Sequence, residues 1–205
     1  MTVKISLTQF IHFKASVSTG ARMTAVKNIK ESNYSPAIDY WLNLRNSIKQ
    51  FSEGKISLEN LCESVENEPQ NHNKRTNYRK AVKRFSTFVS KNNVSFFPVN
   101  KSQWSYNGLV INASPEIGMN INGKKVLVKI FYNVKKPEEK VTKRNIMPML
   151  ALLDVANNAS KYDAQAGLLN LQNGKLLTPS NSKLDVNLVE LQIDAKNFMN
   201  YWDMV

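Results

Sequence analysis

The chain has a single cysteine, Cys62, in 205 residues. No internal disulfide can form, which fits a reducing compartment. It has two histidines, His12 and His72, too far apart in sequence for zinc-ligand spacing with that one thiol. Glycine is scarce at seven residues, and no glycine-rich phosphate loop or Gly-x-Ser-x-Gly nucleophile motif is present. Long apolar runs are missing too. The best, "IMPMLALLDVA" at 146–156, is too short to span a bilayer and is interrupted by Asp154. The opening "MTVKISLTQF" lacks the unbroken apolar stretch of a signal peptide. These absences set the expectation of a soluble, cytoplasmic protein with no membrane partner.

The most informative shortage is of acid. No carboxylate side chain falls between Glu68 and Glu116, while eight Lys or Arg do. Over the whole chain 28 basic residues face 16 acidic ones, a net charge of +12. Residues 1–95 hold 15 basic and 7 acidic groups, and residues 96–205 hold 13 and 9. Such an excess favours a polyanionic partner, because neutralising phosphates releases counterions.

At 42% hydrophobic residues the chain can build a core. The first half reads as helical. "SPAIDYWLNLRNSIKQFSEG" (35–54) offers Ser35 as N-cap, Pro36 at the first helical position, Asp39 in the first turn and Gly54 as a stop. Ala37, Trp41, Leu44, Ile48 and Phe51 form one apolar stripe. A shorter helix at 57–67 is capped by Ser57. Helical fragments also precede residue 34, split at Ser18-Thr19-Gly20.

The third clear helix is basic. In "NKRTNYRKAVKRFSTFVSK" (73–91), Tyr78, Val82, Phe85 and Val89 share an apolar face. Lys74, Arg75, Arg79, Lys80, Lys83 and Arg84 lie mostly on the other side. These six are the candidate nucleic-acid contacts, tracking a phosphate backbone without reading sequence.

From residue 96 the pattern changes. Asn-Gly pairs at 107–108, 122–123 and 173–174 are each flanked by apolar or alternating runs, which suits hairpins with type I′ turns. A helix is expected at about 141–157. An amphipathic helix closes the chain, with Asp185 as cap and Val189, Ile193, Phe198 and Trp202 on its apolar side. The fold class expected is therefore α+β: a helical basic region at 1–95, then a β-meander–α–β–α region at 96–205 with a C-terminal helix, the two able to form one compact unit.

That element order, together with "SPEIGMNINGKKVLVKIF" (114–131), resembles the core of the PD-(D/E)XK nuclease superfamily over roughly residues 100–180. The resemblance implies an acid, often after proline, at the start of the second strand. It also implies an acid and a lysine two apart on the third, with the carboxylates holding Mg²⁺ and the lysine helping to position water. Glu116 matches the first acid and Lys129 the lysine, so these are the candidate catalytic residues and Glu116 the candidate metal ligand. Leu127 stands where the second acid belongs, and an apolar side chain cannot bind a hard cation. Asp154 and Glu190 are candidates to supply an acid from elsewhere.

The reading that follows is a nucleic-acid-binding protein (DNA or RNA) with an eroded nuclease-like core, in a bacterial or phage conflict setting, and not an enzyme. It needs no cofactor; Mg²⁺ enters only if the alternative of an active nuclease holds. The other alternative is an interaction or inhibitor module that docks on an acidic protein.

Overall fold

We describe a computed structural model of the chain, covering residues 2–32, 39–66, 72–132, 141–179 and 184–205. The chain opens with a strand, β1 (Val3–Ser6), that runs into α1 (Leu7–Ala15). Ser6 and Gln9 form a reciprocal capping box at that junction, each satisfying a backbone N–H of the other. Ser18 caps α2 (Thr19–Glu31). Next come α3 (Leu42–Ser52), α4 (Leu58–Glu66) and α5 (His72–Lys91). The Ser57 hydroxyl accepts from the Asn60 N–H at the start of α4, as expected for its cap. Gly54 takes φ +70° just after α3, which suits a glycine stop.

The strands β2 (Val94–Phe97), β3 (Gln103–Tyr106), β4 (Leu109–Asn112), β5 (Ile117–Ile121) and β6 (Lys124–Phe131) follow. After them lie α6 (Lys143–Ala156), β7 (Ala164–Asn170), β8 (Lys175–Leu177) and α7 (Leu184–Met204). The protein is thus mixed α and β. Two of the three Asn-Gly hairpins turn as expected: Asn107-Gly108 and Asn122-Gly123 have positive φ at both residues. The third differs. Only Gly174 has positive φ, and a four-residue loop closes on Asn170, whose carbonyl accepts from Gly174 N–H at 2.8 Å.

The hairpins divide between two sheets. β3 and β4 join β1 in a three-stranded sheet of order β1-β4-β3, with β1 parallel to β4. The larger sheet has the order β2-β5-β6-β7-β8. Its neighbours are antiparallel except β6 and β7, which run parallel and are joined through α6. Side chains of β6 alternate between two cores. Val126, Val128, Ile130 and Tyr132 pack with Leu44, Ile48, Leu61, Tyr78 and Phe85 from α3, α4 and α5. Phe131 packs on the opposite face with α1, α6 and α7, among Phe10, Phe13, Leu152 and Phe198. Both cores draw on both halves of the chain.

Two helices depart from the sequence expectation. The helix expected at 35–54 starts at Leu42; Ser35, Pro36 and Ala37 lie outside the described residues. Asp39 precedes it, accepting from Trp41 N–H at 3.1 Å and pairing with Arg45. In α7, Asp185 lies in the first turn, inside the helix. Its buried face is Leu191, Asp194, Ala195 and Phe198, whereas Val189 and Ile193 are 56% and 53% exposed. An aspartate in the middle of a buried face is tolerated because Lys14 of α1 reaches it at 2.6 Å. The corrected face has a measurable consequence. Leu191→Ala should cost about 2–5 kcal/mol in a urea melt, while Ile193→Lys should stay within about 0.5 kcal/mol of the parent chain.

Candidate functional site

The two-residue turn at Asn122-Gly123 sets Ile121 opposite Lys124, and the same register brings Glu116 alongside Lys129. The two meet: Lys129 Nζ donates to Glu116 Oε1. Glu116 Oε2 accepts the backbone N–H of Ile130 at 2.8 Å, and Glu116 N–H donates to Val128 C=O at 2.9 Å. Only 18% of the Glu116 side chain and 11% of the Lys129 side chain reach solvent. Acid and lysine are therefore neighbours, and they form a closed, mostly buried ion pair.

The second acid position is dry. Leu127 is 7% exposed and pairs across the strands with Gly118, so both face the same side. Phe97 fills the space above that glycine: a Cβ on Gly118 would sit 2.5 Å from the Phe97 ring and 2.6 Å from its carbonyl oxygen. Gly118→Ala should accordingly cost about 1–3 kcal/mol by overpacking, read as a lowered Tm.

The two candidates for an acid from elsewhere are engaged in other places. Glu190 bonds Lys14 at 2.6 Å. Burial pushes the Asp154 carboxyl above its ordinary range, opposed only by the N–H of Ala166. Among the described residues no cluster of three or more metal-capable side chains occurs. Glu116 has both oxygens committed, and Mg²⁺ asks for an octahedral set of oxygens. These residues do not fit a Mg²⁺ site.

Beside the pair opens a cleft of about 760 Å³ between α3 and the segment 96–101. Arg45 and Lys49 of α3, Phe97 and Lys101 of the facing segment, and Glu116 are among the residues that line it. Arg45 is fixed by Asp39, Nη2 to Oδ2 at 2.7 Å. Burial pulls its guanidinium pKa down, but the bond and charge of Asp39 outweigh that and hold it above the ordinary value. Nearby, burial raises the Tyr132 phenol well above its usual pKa, with Glu116 adding to the effect and Arg45 opposing it. The Tyr132 hydroxyl is buried and has no hydrogen-bond partner among the described residues.

The six cations of α5 meet different surroundings. Lys74 lies against the rings of Tyr40 and Tyr78, 5.9 Å and 5.3 Å from their centres. Arg79 grips Glu66 at the end of α4 with two bonds, the Nε–Oε1 one at 2.7 Å. That bond to Arg79 is the main reason the Glu66 carboxyl sits below its usual range, and Arg75 adds its charge. Arg84 donates to Leu171 C=O at 2.7 Å, beside the β7–β8 loop. Lys80 and Lys83 are exposed and make no ion pair with any described residue.

Sequence reasoning missed the cleft, because its walls come from segments some fifty residues apart. It also missed Glu66 as the partner of Arg79. A signal was there: Glu66 stands at the edge of the acid-free window, one helical hairpin from α5. No described helix is long and apolar enough to cross a membrane. No protein-family model matches the chain, and neither does any curated protein or solved structure.

Proposed function

We propose that the protein binds nucleic acid along the outer face of α5 and does not cut it. The carrying observation is Lys80 and Lys83, exposed one helical turn apart, with no carboxylate between Glu68 and Glu116 to cancel them. Arg84 follows Lys83 directly, and Lys175 sits on the adjoining β7–β8 hairpin, extending the positive surface. The exposed Arg79–Glu66 pair is screened by water, so a phosphate can compete for that arginine.

The nuclease-like ancestry is part of this reading. It is supported by the order β5-β6-α6-β7, by Pro115-Glu116 at the entrance to β5, and by the meeting of Glu116 with Lys129. Loss of catalysis is supported by Leu127 at the second acid position and by the commitment of both Glu116 oxygens. The test is fluorescence anisotropy with labelled duplex and single-stranded DNA and RNA across a salt titration, on the parent chain and on Lys80→Glu/Lys83→Glu. Salt-sensitive binding that the variant loses supports the reading, and equal affinity in the two proteins overturns it.

A further inference from the structure

The cleft between α3 and the segment 96–101 has the chemistry to hold a flexible strand, and it belongs to a different surface from α5. Its two walls carry opposite halves of a nucleotide's requirements. On α3, Arg45 and Lys49 supply cations, with Asn46 and Ser52 between and beyond them as neutral hydrogen-bonding groups. Across from them Lys101 is exposed, and Phe96 and Phe97, consecutive on β2 and so directed to opposite faces of the sheet, are each only partly covered. Phe96 is held edge-on by Phe51, ring centres 5.4 Å apart, and Phe97 by its seat over Gly118. Both rings are thus fixed before any ligand arrives, which lowers the entropic cost of stacking a base on them.

The carboxylates of the cleft do not oppose an anion. Glu116 is neutralised by Lys129. Glu53 bonds Lys55 at 2.6 Å and has Lys49 at 3.8 Å, so two lysines surround one acid. Lys101 lies inside the acid-free window and makes no ion pair with any described residue. With Asp39 offsetting Arg45 and one of the two lysines offsetting Glu53, the other lysine and Lys101 leave a net positive charge at the cleft.

Size chooses between forms of nucleic acid. About 760 Å³ falls within the range of sites that hold a nucleotide-sized ligand. Specific duplex sites cover about 1,000–2,500 Å² of protein surface, far more than a cleft of this volume offers. The geometry points to a single-strand site: one or two nucleotides of an unpaired strand lie in this cleft, phosphates on Arg45, Lys49 and Lys101, a base on Phe96 or Phe97. This deepens the nucleic-acid reading and rests on it. α5 supplies the surface any backbone can use, and the cleft adds a preference for unpaired ends or strands.

The experiment compares fluorescein-labelled oligo(dT) of about 12 nucleotides with a labelled duplex of about 20 base pairs, two helical turns. It uses the parent chain and Lys49→Glu/Lys101→Glu, two exposed positions whose change leaves both cores intact, with Tm as the check on folding. The variant should lose oligo(dT) affinity by about tenfold or more and lower the salt slope by about 1.4, two phosphates at about 0.7 each. Its duplex affinity should be unchanged. Free dTMP at about 1 mM should leave the strand bound, since a strand gains from several contacts at once. Equal oligo(dT) affinity in variant and parent, with duplex binding intact, overturns the cleft assignment alone. Displacement by dTMP overturns it in favour of a mononucleotide site. Failure of the parent chain to bind either DNA overturns the nucleic-acid reading itself.

Discussion

Glu116→Ala is expected to destabilise the protein by about 3–5 kcal/mol, among the largest effects available from one surface-adjacent residue. The change removes the counter-charge of Lys129, an ammonium whose side chain is 11% exposed. It also strips the Ile130 N–H of its acceptor, in the middle of the central sheet. A buried charge without a partner and a buried donor without an acceptor each cost free energy, and here one substitution creates both. Lys129→Ala should cost less, because Glu116 keeps the Ile130 N–H and has the cleft on one side through which water can reach it.

The double variant Glu116→Gln/Lys129→Met separates this pair from an active site. Glutamine keeps an oxygen for Ile130, and methionine replaces the ammonium with an apolar group of similar length. Buried ion pairs replaced in this way often lose little or nothing, so most of the stability should return. Chemical denaturation of the parent, Glu116→Gln, Lys129→Met and the double variant closes the thermodynamic cycle. A nuclease site would behave differently: alanine at either position would abolish cutting and leave the melting curve unmoved. Single variants within about 1 kcal/mol of the parent would refute the structural role.

Much of this site can be read in the sequence, and the reason is local. A two-residue Asn-Gly turn fixes hairpin register, and register alone brings residue 116 to residue 129. The stripes Leu44–Ile48 and Tyr78–Val82–Phe85 were legible because helical spacing marks them without help from elsewhere. Where the reading failed, the missing information was distant in the chain. The buried face of α7 contains Asp194, which looks like a solvent residue until Lys14 arrives from the first helix. The exposed Val189 and Ile193 looked like part of the buried stripe with Phe198 for the same reason. Arg79 read as a free cation because Glu66 reaches it only after α4 folds back on α5. The Asn-Gly pair at 173–174 suggested a two-residue turn, but β7 and β8 pair from Asn170 and Lys175, leaving four residues to close the loop.

Lys80→Glu/Lys83→Glu should weaken duplex binding roughly 10- to 100-fold near 0.1 M salt and lower the log–log salt slope by about 1.8. Each lysine is exposed and unpaired among the described residues, so reversing it removes one phosphate contact and adds a repulsion without disturbing a core. Stability should stay within about 0.5 kcal/mol of the parent, which keeps the binding loss interpretable. The surface makes a second, opposite demand. Glu66 occupies Arg79 with two hydrogen bonds. Glu66→Gln removes the competing charge and frees the arginine, so affinity should rise and the slope should steepen by up to about 0.9, one phosphate more. A generic positive surface responds to the loss of any acid alike. The proposed interface responds to Glu66 and not to Glu31, which sits on α2 with Lys27, away from α5. If Glu31→Gln tightens binding as much as Glu66→Gln, nonspecific charge is the whole of the attraction and the α5 surface loses its claim.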